Sequence, residues 1–144
     1  MWSAIEKRLS ANDVGLTGTH QAGVLVPKRE GLLSALPSLD PGQRNPRQTI
    51  VAFDEEGFAW RFQFIYYNNA LFGGTRNEYR ITGMTRFLRS RDAAPGDTLR
   101  LEGQPSGAYQ IRVLPSAQDM YNEPEVEDGV LRLQLTDAWR LIKW

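Results

Sequence analysis

Along this 144-residue chain the apolar side chains recur mainly at every second position. In "WRFQFIY", Trp60, Phe62, Phe64 and Tyr66 alternate with Arg61, Gln63 and Ile65, the pattern of a strand with one buried face. "DTLRLEG" puts Leu99 and Leu101 on one side, "GAYQIRVLP" does so with Tyr109, Ile111 and Val113, and "GVLRLQL" with Leu131, Leu133 and Leu135. "HQAGVLVPK" and "QTIVAF" read as further short strands. Turn-forming clusters separate these runs: "DEEG" at 54–57, "APGD" at 94–97, "GQPSG" at 103–107 and "EDG" at 127–129. Helical spacing is sparse. "REGLLSALPSL" supports about two turns, with Leu32, Leu33 and Leu36 on one side, before Pro37 interferes. "MTRFLRSR" predicts a shorter turn, and "TDAWRLIKW" fits a final strand or a helix. Many short strands with few helices predict one mainly β domain, a barrel or a sandwich. Closure into a barrel would remove exposed edges. The polar stretches at 10–20 and 68–80 are then expected as loops at one rim.

Composition narrows this picture. The length suits one domain with its own core. With no cysteine the chain has neither a disulfide framework nor a thiolate metal site, as suits a reducing compartment. "MWSAIEKRLS" lacks the apolar region of a signal peptide, and no apolar run approaches the ~18 residues of a membrane span. The expectation is a cytoplasmic domain with no membrane partner.

The formal net charge is zero, but its distribution is uneven. Residues 1–91 carry twelve Lys and Arg against eight Asp and Glu, whereas residues 92–144 carry five against nine. Between 74 and 91, Arg76, Arg80, Arg86, Arg89 and Arg91 meet Glu78 alone. A neutral average can therefore conceal a basic face, and a polyanion responds to the face. Solvated surface is the plainer reading of the same run.

Tests for catalysis are negative. No lysine stands two residues after an Asp or Glu, so the acidic-x-Lys element of metal-dependent nucleases is missing. Asp54, Glu55 and Glu56 read as a hairpin tip. His20 is the only histidine, too little for zinc. "TGTHQAG" is no nucleophile elbow, and "GGTRNE" lacks the Lys-Ser/Thr ending of a P-loop. Tyr66, Tyr67 and Phe72 offer a stacking surface for single strands, against the commoner reading of strand aromatics as core.

The positive signal is "GGTRNEYRITG" at 73–83. Arginine donates two parallel hydrogen bonds to guanine O6 and N7, asparagine matches adenine, and a carboxylate accepts from cytosine N4. Arg76, Asn77, Glu78 and Arg80 supply that vocabulary, and in an extended segment Arg76, Glu78 and Arg80 point the same way. The alternative is a surface where Arg and Glu merely pair, and composition leaves both open. A second polar stretch, "EKRLSANDVGLTGTHQAG", offers Lys7, Arg8, Ser10, Asn12, Asp13, Thr17, Thr19 and His20. Its glycines and Asn-Asp pair also serve ordinary turns.

These two stretches, extended as "KRLSANDVGLTGTHQAGVLVPK" and "IYYNNALFGGTRNEYRITG", resemble the N-terminal effector domain of EcoRII-type restriction endonucleases, one of the plant B-three-like DNA-binding pseudobarrels. The resemblance covers about residues 6–28 and 65–83. It implies a seven-stranded open pseudobarrel with short flanking helices. An N-arm within 7–21 and a C-arm within 74–82 would enter the major groove of double-stranded DNA at CCWGG (W is A or T) or a related site. Arg76, Asn77, Glu78, Arg80, Asn12, Asp13 and His20 would read or orient bases. Lys7, Arg8, Ser10, Thr17, Thr19, Tyr79 and Arg86 would meet the backbone. The resemblance further implies a type IIE effector domain, monomeric and without a cofactor, whose separate catalytic domain uses magnesium. The chain departs from the family pattern at Gly74 and Tyr79, where lysines are usual, at Ala70, where a basic residue is, and at Leu25, where a tyrosine is. Rival expectations are a stand-alone DNA-binding regulator, a barrel binding a small molecule or protein at its rim, and an intact nuclease.

Overall fold

The alternating segments form strands, and the strands form one curled sheet. The structure, a computed structural model, describes residues 3–15, 23–116 and 138–143. Among these residues there are eight strands: β1 (Ser3–Arg8), β2 (Val24–Val26), β3 (Arg47–Phe53), β4 (Ala59–Tyr67), β5 (Glu78–Thr82), β6 (Thr98–Gly103), β7 (Tyr109–Leu114) and β8 (Trp139–Lys143). Two short helices, α1 (Glu30–Ser34) and α2 (Thr85–Ser90), and a 3-10 turn at Asn69–Phe72 complete the described elements.

The sheet order is β2-β5-β4-β3-β7-β6-β1-β8. Neighbours are antiparallel except β3 and β7, which run parallel over two residue pairs, Ala52 with Tyr109 and Phe53 with Gln110. The edge strands β2 and β8 come together through side chains. The Trp139 indole N–H donates to the Leu25 carbonyl at 3.0 Å, and the Arg29 guanidinium donates to the Trp139 carbonyl at 2.8 Å. The result is the mainly β open barrel that the sequence led one to expect, with eight strands rather than seven.

Period-two reading singled out neither β1 nor β5, and β5 takes up residues 78–80 of the stretch expected as a loop. β1 carries Lys7 where period-two reading looks for an apolar residue, and it buries Glu6 on its other face. β1 lies between β6 and β8, and its carboxylate is satisfied there: Arg100 donates to Glu6 at 2.6 Å and Arg140 at 2.9 Å. The run 139–143 is the strand alternative of "TDAWRLIKW". The strand expected at "GVLRLQL" and the turn at "EDG" lie outside the described residues.

The inner faces make one core, including Ile5, Ile50, Phe62, Phe64, Ile81, Leu99, Leu101 and Ile111. Leu32 and Leu36 from the α1 region close one side, and the Tyr109 hydroxyl fixes that region by donating to the Ala35 carbonyl at 2.7 Å. Phe87 and Leu88 of α2 close another, with the Phe87 ring edge-on to Trp60 at 5.2 Å and Phe62 at 6.2 Å.

Candidate nucleic-acid interface

Register defines a continuous outer face on the half of the sheet formed by β2, β5, β4 and β3. Leu25 faces Arg80, Arg80 faces Ile65, and Ile65 faces Arg47, so these four share one side. Glu78 opposite Tyr67, and Thr82 opposite Gln63 opposite Thr49, belong to the same side. The two polar stretches join the sheet at different places. The chain enters β2 beside Ile81 and leaves β4 beside Glu78, so these two points of attachment lie toward opposite ends of β5. Antiparallel pairing on both sides of β5 requires this, and the ends stand about 13 Å apart at ~3.3 Å per residue.

Three side chains converge at the C-arm end. Glu78 Oε2 accepts from Arg76 Nε at 3.1 Å, Arg76 Nη2 at 2.9 Å and Arg80 Nε at 2.7 Å. None of these bonds uses Glu78 Oε1. The Arg76 guanidinium lies over the Tyr67 ring, 3.8 Å from its centroid, where the ring's negative face attracts it. Hydrogen bonding from Arg80, then from Arg76, holds the Glu78 carboxyl below its ordinary pKa despite partial burial. Arg80 also donates from Nη1 to the Gly23 carbonyl at 3.2 Å, and its side chain is only 7% exposed. Arg80 is thus a strut between the base of one arm and the exit of the other. The sequence reading placed Arg76, Glu78 and Arg80 on one side, and they are together; the pairing it weighed as an alternative is present too.

The neighbours on either side of Glu78 turn the other way. Asn77 Oδ1 accepts from the Tyr66 hydroxyl at 2.8 Å. The Tyr79 ring stacks on Tyr66 at 4.2 Å and Phe64 at 5.7 Å, on the side of β5 away from Glu78. Burial pushes the Tyr79 phenol up. Of the aromatics weighed for stacking, Tyr66 is buried, Tyr67 lies beneath Arg76, and Phe72 is exposed below the Arg44 guanidinium at 5.5 Å.

The described part of the N-arm is tied to itself. Lys7 has the inward parity of Ile5 and Leu9, and its ammonium pairs with Asp13. Asp13 also accepts from the Ser10 amide at 2.9 Å, and the Asp13 amide donates to Ser10 Oγ at 3.2 Å. Asn12 lies in this turn, its carbonyl accepting from Gly15 N at 3.1 Å, and Arg8 is exposed at the end of β1. Arg86 is exposed on α2, which follows the Gly23 end of β5. Thr17, Thr19 and His20 lie outside the described residues.

Sequence reading missed Asn68, a fully buried residue at the base of the C-arm. Its Oδ1 accepts from Asn45 N at 2.7 Å, and its Nδ2 donates to the Gln43 carbonyl at 2.6 Å and the Pro41 carbonyl at 3.3 Å. The one available signal was an asparagine closing an aromatic strand just before a turn.

The chain matches the family "Restriction endonuclease EcoRII, N-terminal" over residues 3–99. It is 44% identical to the type II restriction enzyme EcoRII of Escherichia coli over 85 residues, 53% of this chain and 19% of that protein. It is 36% identical to auxin response factor 18 of Arabidopsis thaliana over 118 residues, 82% of this chain and 18% of that protein. The chain thus spans about a fifth of the length of the curated relatives it matches. Among solved structures, the Arabidopsis FUS3–DNA complex shares the fold, with a TM-score of 0.60 and 21% identity over 78% of this chain and 96% of that one. With two thirds of its residues inside that match and the arms' strands in place, the chain belongs to the EcoRII N-terminal domain family.

Proposed function

We propose that this domain binds double-stranded DNA sequence-specifically, at CCWGG or a related site. In this reading it is the target-recognition and effector part of a type IIE-like restriction endonuclease. The observation that carries the reading is the Arg76–Glu78–Arg80 cluster, within the C-arm on the outer face at the start of β5. Arg76 and Arg80 donate to guanine O6 and N7, and Glu78 Oε1 accepts from cytosine N4 while Oε2 keeps the guanidinium groups aligned. Prealignment on Tyr67 lowers the entropy lost on docking. Asn77, Asn12 and His20 complete the base contacts. Lys7 and Asp13, which hold each other, brace the N-arm, Arg8, Ser10, Thr17, Thr19 and Arg86 serve the backbone, and Tyr79 supports β5 from its other side. The domain itself needs no metal; magnesium belongs to a catalytic domain elsewhere in a longer chain. It works as a single copy in the cytoplasm of a prokaryotic cell. Family membership and the fold shared with FUS3, solved as a DNA complex, support this reading.

A second reading, a DNA-binding regulator with no nuclease attached, is favoured by the auxin response factors, whose likeness covers more of this chain than EcoRII's does. The length and content of the parent chain separate the two.

The test is fluorescence-anisotropy titration of a CCWGG duplex and a base-permuted control at two salt concentrations. Preference for CCWGG is expected, with Arg76→Ala losing about 1–3 kcal/mol on that duplex and far less on the control. Equal losses on both would remove Arg76 as a base reader. No salt-dependent binding to either duplex would leave a barrel that serves another ligand.

A further inference from the structure

We infer that the outer face of β3 and β4 is a second DNA contact, a phosphate track built by Arg47 and Arg61, which extends the footprint beyond the two arms. The inference rests on the DNA-binding reading above. Arg47 stands in register with Ile65 and Arg80, and Arg61 lies four residues back along β4 from Ile65, so both occupy the side that carries Glu78. Both are exposed. Between them Gln63 donates to Thr49 at 2.9 Å, a neutral pair of hydrogen-bonding groups. In the four strands of this half, Glu78 is the one acidic residue, and it is already engaged by two arginines.

The charge balance of this face is what points to a polyanion, since its one carboxylate is already engaged while Arg47 and Arg61 are not. Arg91 is held by Asp54 and Glu55, Arg100 by Glu6 and Glu102, Arg140 by Glu6, and Lys7 by Asp13. Among the described residues Arg61 has no ion pair, and Arg47 makes only a long hydrogen bond, 3.4 Å, to the Asn45 carbonyl. Among the described strand residues Arg8, Arg112 and Lys143 also lack an ion pair, but they stand on β1, β7 and β8, whereas Arg47 and Arg61 lie on the half of the sheet that carries the Arg76–Glu78–Arg80 cluster. Four residues of strand span about 13 Å. That equals about four base-pair steps at 3.4 Å of axial rise. The two guanidinium groups thus suit phosphates several nucleotides apart on one rigid surface. Such contacts carry no base information, and their signature is counterion release.

The experiment compares wild type, Arg47→Gln/Arg61→Gln, Arg47→Lys/Arg61→Lys and Arg76→Ala on the CCWGG and permuted duplexes across a salt series. Two lost phosphate contacts should flatten the log–log salt slope by about two units. Affinity should fall by roughly tenfold or more at 0.1 M salt, by the same factor on both duplexes. The double lysine variant should keep the wild-type slope, because the track needs charge rather than fork geometry. An unchanged slope in the glutamine variant, with Arg76→Ala still impairing CCWGG binding, would overturn the track and leave the arm reading standing. A salt slope near zero for the wild type would overturn the DNA-binding reading itself.

Discussion

Replacing Glu78 by Gln probes the central cluster because shape is kept and charge is removed. Two pairs are affected, and they differ in burial. Arg76 and Glu78 are 44% and 29% exposed at the side chain, the regime in which an ion pair contributes about 0–1 kcal/mol. Arg80 is 7% exposed, and a hydrogen bond to a charged group in that setting contributes about 1.5–3 kcal/mol. Glu78's own contact with water pulls the sum toward the lower end, so Glu78→Gln should destabilise the domain by about 2 kcal/mol at pH 7. For a domain of this size that is a fall in Tm of roughly 8 °C. The carboxyl is held below its ordinary value of 4.5 in the folded protein, chiefly by the Arg80 hydrogen bond. Its stabilisation is therefore complete above that value and lost as pH falls through the lower, folded-state value. Urea unfolding of wild type and Glu78→Gln between pH 7 and pH 3 should show the gap closing with acid. A cycle with Arg80→Met should show coupling well above the ~0.5 kcal/mol scatter of independent sites. A gap that stays constant over that pH range would falsify the assignment of the stabilisation to the ionised carboxylate.

Three further substitutions test the frame around the cluster. Gly23→Ala places a Cβ 2.1 Å from the Ile81 carbonyl oxygen at a residue with φ +76°, so the β2–β5 pairing must shift. A loss of about 3 kcal/mol or more in chemical denaturation is expected, and a change below 1 kcal/mol would contradict the close approach. Asn68→Ala removes the acceptor for Asn45 N and the donors to two carbonyls in a fully buried site. It should cost about 2–4 kcal/mol and speed amide exchange at Asn45, whereas unchanged protection there would deny Asn68 its role as the peg of this loop. Trp139→Phe keeps an aromatic ring but loses the bond to the Leu25 carbonyl, with an expected cost of about 1–2 kcal/mol. Protection of β2 amides by hydrogen exchange should fall as well; a loss spread evenly over all strands would argue against a localised seam.

What the sequence disclosed follows from where the deciding forces are local. Alternation exposed the core faces of β4, β6 and β7, because Phe62, Phe64, Leu99, Leu101 and Ile111 are buried by their own strand's pleat. The same parity put Arg76, Glu78 and Arg80 on one side. It also put Tyr79 on the opposite one, and the three-ring stack with Phe64 and Tyr66 follows from that. β1 was illegible because Lys7 interrupts its inward face, held there by Asp13, and because Glu6 on the other face is made burial-tolerant by Arg100 and Arg140, 94 and 134 residues away. Asn68 was illegible for a related reason: its partners are backbone groups of a distant loop, and backbone leaves no residue-type signature. The attachment of the two polar stretches toward opposite ends of β5 needed the strand order, which no local pattern encodes.

The position of β1 between β6 and β8 has a consequence for the order in which this domain can be made. Hairpins such as β3–β4 and β4–β5 join neighbours in sequence and close over short loops, so they can form as soon as they emerge from the ribosome. Among the described residues β1, the first strand in the order given, pairs with residues 98–102 and 139–143 alone. It must wait, unpaired, while more than ninety residues are added. Leu9, where the N-arm leaves β1, is anchored by the Asp97 carbonyl at 2.8 Å, and Arg8 beside it by the Ala138 carbonyl at 2.9 Å. The footing of that arm is therefore among the last parts of the domain to set during translation, and a nascent chain stalled before Trp139 carries a formed C-arm beside an N-arm with only half its support.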